Sequence, residues 1–119
     1  MWKIKKVNAF VMSPSVEKYR DQYLTRGLFN DMQALGFAWG RQEGTYGEVI
    51  DWLKEASVEV SVNNVDGKWV AQAHAIGDDE YPLENTKATS ELDALTEAVK
   101  LGSCVYRILY YDDYHFNYD

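Results

Sequence analysis

Val58-Glu59-Val60-Ser61-Val62-Asn63-Asn64-Val65-Asp66-Gly67-Lys68-Trp69-Val70-Ala71-Gln72-Ala73-His74-Ala75-Ile76 is the stretch that decides the fold. Val58, Val60 and Val62 alternate with Glu59, Ser61 and Asn63. Trp69, Ala71, Ala73 and Ala75 then alternate with Val70, Gln72, His74 and Ile76. A side-chain period of two is the mark of a strand with one face on a core. Two such runs around a five-residue loop containing Asp66-Gly67 predict a β-hairpin. One face is Val, Trp and Ala, and its small alanines let a helix approach closely; the other face is mostly polar, and His74 is expected to be exposed there.

Upstream of the hairpin, Thr45-Tyr46-Gly47-Glu48 has capping-box spacing. Val49, Ile50, Trp52, Leu53 and Ala56 continue it as a short amphipathic helix. Further back, residues 2–12 read as a strand buried on both sides near its end. Ser13-Pro14 opens a helical stretch over roughly 14–35, with Gly27 a candidate break and Gly36 a candidate terminator. Downstream, residues 77–88 read as an acidic connecting loop. Thr89 or Ser90 caps a last helix that Gly102 closes, and residues 103–111 read as a final strand.

These elements predict one α+β domain over residues 1–119, an antiparallel sheet with helices packed on one face. The order β-α(α)-β-β-α-β is ferredoxin-like; the alternative keeps only the hairpin, with helices before and after it. Residues 112–119 are an acidic, aromatic tail.

Composition narrows the function. No run approaches the length of a membrane span, and no signal-peptide core follows the basic start, so a cytoplasmic location is expected, in a bacterial host if the chain is phage-encoded. Cys104 is the single cysteine, which removes an internal disulfide and a cysteine-based metal site. His74 and His115 are the only histidines, and no nucleophile elbow, phosphate loop or zinc motif occurs. Asp78-Asp79-Glu80 and Asp112-Asp113 with His115 lack calcium-loop spacing. No catalytic residue, cofactor or metal is therefore expected, and the chain reads as a non-enzyme.

Charge and aromatic content point toward partners instead. Residues 1–41 hold seven basic and three acidic side chains, a net +4; residues 42–119 hold five and sixteen, a net −11. A net charge of −7 repels phosphates, and Gly67-Lys68-Trp69-Val70-Ala71-Gln72-Ala73 lacks the aromatic signature of an RNA-binding sheet. Direct nucleic-acid binding is thus not expected, nor membrane contact. Closely spaced carboxylates can instead imitate a phosphate array before a basic nucleic-acid-binding protein, or they only keep the chain soluble. Five of the nine tyrosines, with Phe116, fall in the last fourteen residues. Tyrosine suits interfaces, although a tail folded back on the sheet has the same composition. The expected partner-binding residues are Asp78, Asp79, Glu80 and Tyr81 in the loop, and Tyr110, Tyr111, Asp112, Asp113, Tyr114, Phe116 and Tyr118 at the end.

Val58-Glu59-Val60-Ser61-Val62, Trp69-Val70-Ala71-Gln72-Ala73, the acidic loop with Tyr81 and the alanine-rich run Ala88 to Val99 together resemble small tailed-phage accessory proteins of the phage ABA-sandwich type. The resemblance covers roughly residues 45–102. It implies a mobile-element origin and a non-enzymatic accessory role, and it carries no catalytic residues. The reading that combines these points is an acidic, protein-binding inhibitor or modulator aimed at a host nucleic-acid-handling defence complex, as anti-CRISPR and anti-restriction proteins are. The alternatives are a homo-oligomeric assembly domain, or a small ligand-binding domain or enzyme with a cleft near His74 or Cys104.

Overall fold

The computed structural model of the protein describes residues 14–111, and of residues 14–15 and 78–81 the backbone alone. In chain order the elements are α1 (Pro14–Lys18), α2 (Arg26–Gln33), α3 (Tyr46–Glu55), β1 (Val58–Val65), β2 (Lys68–Ala75), β3 (Asp78–Asn85) and α4 (Glu91–Tyr110). The fold is α+β: the described residues form four helices and a three-stranded antiparallel sheet of order β1-β2-β3.

The hairpin forms as its alternation dictates. Val58 pairs with Ala75, Val60 with Ala73 and Val62 with Ala71, so valines and alanines share one face. The strands run closer to the turn than expected, leaving only Asp66-Gly67 between them. Both turn residues have positive φ, 54° and 83°. That is the twist a two-residue hairpin connection needs, and Asp and Gly tolerate it.

Two other expectations are corrected first. Residues 78–85 form a strand, not a loop: β3 pairs antiparallel with β2, with an irregularity between Ala73 and Ala75. Pro82, which lacks an N–H, is tolerated there because among the described residues β3 is an edge strand. The stretch from residue 14 contains two helices, and the break falls before Gly27, at residues 19–25, where Thr25 caps α2 through the Leu28 N–H. That break is held by backbone bonds from Leu24 N to Gly44 O and from Tyr46 N to Gln22 O.

The largest correction concerns the C-terminal part. Residues 103–111 are not a strand; α4 runs unbroken for 20 residues to Tyr110. Gly102 lies inside it, buried against the sheet, where an added Cβ would come within 2.9 Å of Leu53 Cδ1 and Val60 Cγ1. The glycine permits contact between helix and sheet; it does not end the helix. Ala94, Leu95, Ala98, Val99, Gly102 and Val105 form one buried stripe at three- and four-residue spacing, which carries the helix through β-branched Val105. The ferredoxin-like order is not what the described residues show: helices precede a three-strand meander and one long helix follows it. The predicted strand over 2–12 lies outside the described residues.

α4 and α3 cover the valine and alanine face, with Leu53, Val58, Val60, Val62, Leu95 and Val99 at the centre of the core. Polar contacts tie the helices together. The Thr45 hydroxyl accepts from Glu48 N while the Glu48 carboxylate accepts from Thr45 N, the capping box read from sequence. Ser90 caps α4 through Asp93 N. Tyr46 Oη and Thr96 Oγ1 are 2.7 Å apart, joining α3 to α4, and Lys18 pairs with Glu91 at 2.9 Å, joining α1 to the start of α4.

Candidate functional site: the C-terminal half of α4

Because α4 continues past Gly102, its last turns carry Tyr106 and Tyr110, with Tyr111 at the C-cap, to the end of α3. A row of rings leads there from the core. Phe29 meets Phe37 edge-on at 6.1 Å, and Phe37 meets Trp52 edge-on at 5.9 Å. Trp52 stacks on Tyr106 at 4.8 Å and 28°. Tyr106 then touches Tyr110 at 4.8 Å and Tyr111 at 6.0 Å. Tyr110 Oη donates to the carbonyl of Ala56 at 2.7 Å, which fixes the end of α4 against the end of α3.

The outer members of this row are open to solvent: Tyr110 is 52% and Tyr111 43% exposed, beside Ile108 at 49%. Burial pushes the Tyr106 phenol above its ordinary pKa, the neighbouring tyrosines adding to the effect. Another exposed ring, Trp39 at 84%, stands on the turn after α2 whose Phe37 is buried in the row.

Alongside the rings runs a groove of about 530 Å³ between the end of α2 and α4. Asp31, Ala34 and Leu35 line one wall, and Lys100, Ser103, Cys104 and Arg107 line the other. The Arg107 guanidinium approaches Cys104 Sγ at 3.7 Å. Among the described residues no carboxylate pairs with Arg107, and Lys100 is held only by Glu97 at 3.5 Å.

The second face of the sheet differs from its sequence reading. His74 is 4% exposed and Ser61 is fully buried, so the expectation of an exposed histidine is corrected. Among the described residues Ser61 Oγ has no hydrogen-bond partner. Register places Glu59 opposite His74 and Ser61 opposite Gln72, and Gln72 donates to Glu84 at 2.9 Å. Burial pushes Glu59 above the usual carboxylate range, partly offset by Lys54. Neither the α2–α4 groove nor a smaller one at Asn85, Lys87, Ala88, Asp93 and Glu97 is lined by His74 or Ser61. Among the described residues no group of three His, Cys, Asp or Glu side chains is arranged to hold a metal. Among them, too, no helix is long and apolar enough to cross a membrane.

Of the residues expected to meet a partner, Tyr110 and Tyr111 are exposed together at the end of α4. Asp78, Asp79, Glu80 and Tyr81 lie in β3, within or beside its irregular pairing. Asp112, Asp113, Tyr114, Phe116 and Tyr118 lie outside the described residues. The cleft weighed near Cys104 is met by this groove and the one weighed near His74 by neither groove; the rest of the lining was not legible, because Lys100, Ser103, Cys104 and Arg107 share a face only if the helix runs through Gly102. The chain matches no protein-family model, no curated protein and no solved structure.

Proposed function

We propose that this protein is a non-enzymatic, protein-binding inhibitor or modulator, with a host nucleic-acid-handling defence complex as its class of target. The observation that carries the proposal is the row of rings that runs from Phe29 to the surface and ends in the exposed pair Tyr110 and Tyr111. Interface hot spots are typically such aromatics, held in place by packing so that little rotamer freedom is lost on binding. Tyr111 has Tyr106 behind it, which is in turn stacked on Trp52. The net charge of −7 favours encounter with a basic partner, as proteins that handle nucleic acid often are.

The test is affinity purification from bacterial lysate with the wild type and with the Ile108→Ser/Tyr111→Ser variant side by side. Both side chains are exposed, so the variant is expected to keep its fold, which far-UV circular dichroism checks. The reading requires a protein enriched by the wild type and lost by the variant. No enriched protein, or equal enrichment by both, overturns it.

A further inference from the structure

We propose that the α2–α4 groove is a docking trough for an amphipathic helical segment of a protein partner that bears carboxylates about two turns apart. The inference deepens the protein-binding reading and rests on it. Three observations carry it. The first is sign: in a chain of net charge −7, the groove lining sets Arg107, and Lys100 with its own neighbour Glu97 at 3.5 Å, against one acid of the opposite wall, Asp31. The Arg107 guanidinium has no carboxylate partner among the described residues, and its planar fork is the best side-chain match for a carboxylate. The second is spacing. Lys100 and Arg107 stand seven residues apart on one helix, about 10 Å along its axis, which matches side chains at i and i+7 of a second helix beside it. The third is the surface between and beyond the cations. Ala34 and Leu35 on one wall and Cys104 on the other give it less polar surface, and the same face of α4 continues into exposed Ile108 and Tyr111. A trough of about 530 Å³ open to solvent receives side chains from a segment laid across it, in the manner of helix-in-groove recognition.

Asp31 gives the trough a polarity. Carboxylates are directed to the α4 wall and repelled from the α2 wall, so removing that charge strengthens binding. The probe is a blocked helical peptide with Glu at two positions seven residues apart flanking a leucine stripe. Its control has Lys in place of both Glu. Each is titrated into the full-length, isotope-labelled protein and followed by amide chemical shifts.

Saturable shifts at Leu35, Lys100, Cys104 and Arg107 are expected with the Glu peptide and not with the Lys peptide. Arg107→Glu is expected to weaken binding about tenfold or more, as for a lost charge-assisted hydrogen bond. Lys100→Glu acts in the same direction, and Asp31→Asn tightens binding. Equal binding of both peptides, shifts that map elsewhere, or no saturation with the Glu peptide overturns the inference. If a partner is meanwhile captured in an Ile108- and Tyr111-dependent way, the inference fails alone and the protein-binding reading stands.

Discussion

Replacing Gly102 by alanine tests how α4 is seated, and the sign of the effect discriminates. In the interior of an exposed helix, glycine to alanine ordinarily stabilises by about 1 kcal/mol, since alanine restricts the unfolded chain. At Gly102 the new Cβ would lie 2.9 Å from Val60 Cγ1 and 2.9 Å from Leu53 Cδ1, with Val58 Cγ1 at 3.7 Å. Leu53 can rotate away, but Val60 is β-branched, stiff and fixed in the sheet. Overpacking of this kind costs about 1–3 kcal/mol. Taking the middle of that range against the propensity gain, Gly102→Ala is expected to lose about 1 kcal/mol, or about 4 °C in Tm. Gly27 supplies the control: it lies in α2 with nothing within 4 Å of its added Cβ, so Gly27→Ala is expected to be neutral or stabilising. Urea denaturation followed by tryptophan fluorescence measures both. A Gly102→Ala/Val60→Ala double variant completes a cycle, and truncating Val60 is expected to relieve much of the clash. If Gly102→Ala is as stable as the wild type and shows no coupling to Val60, the close seating of α4 on β1 is wrong.

Further consequences follow from single contacts. Thr45→Ala removes the capping-box hydroxyl and is expected to cost about 1 kcal/mol of unfolding free energy by denaturant titration. Ser61→Ala removes a buried hydroxyl without a partner among the described residues and is expected to raise stability by about 1 kcal/mol; a clear loss would mean that the hydroxyl is bonded. The Arg41 guanidinium, aided by Thr45 N, holds Glu48 below its ordinary pKa, so this contribution is present above the ordinary carboxylate range and is lost as pH falls through the lowered value. Glu48→Gln is therefore expected to lower stability at neutral pH and to converge on the wild type in acid. Glu59 has the opposite sign: its raised pKa makes the ionised form costly, so Glu59→Gln is expected to stabilise at neutral pH and to lose that gain once Glu59 is protonated in both states.

What the sequence made legible was local. The hairpin and its valine and alanine face follow from a period-two pattern over Val58–Val62 and Trp69–Ala75, though not its two-residue turn, and the starts of α3 and α4 follow from hydroxyls at Thr45 and at Thr89 or Ser90, of which Ser90 accepts the backbone N–H. What it hid was tertiary. Gly102 carries the same letter whether it caps a helix or lets one touch a sheet, and only the valines opposite it decide. Residues 103–111 are rich in β-branched and aromatic side chains, yet the buried stripe from Ala94 to Val105 outweighs that preference. β3 was obscured by its acids and Pro82, which are tolerated because an edge strand needs one hydrogen-bonded side only. The exposed tyrosines at 110 and 111 were legible as partner-contact candidates from composition. Their support by Tyr106 and Trp52 required the helix.

Hydroxyl-radical footprinting of the purified complex against the free protein asks most directly whether the end of α4 is where this molecule meets its target. The rings of Tyr110 and Tyr111 are expected to react several-fold more slowly in the complex, with Trp69 on the sheet unchanged. Equal reactivity of both tyrosines in the two states, or failure to isolate any complex, would contradict the assignment.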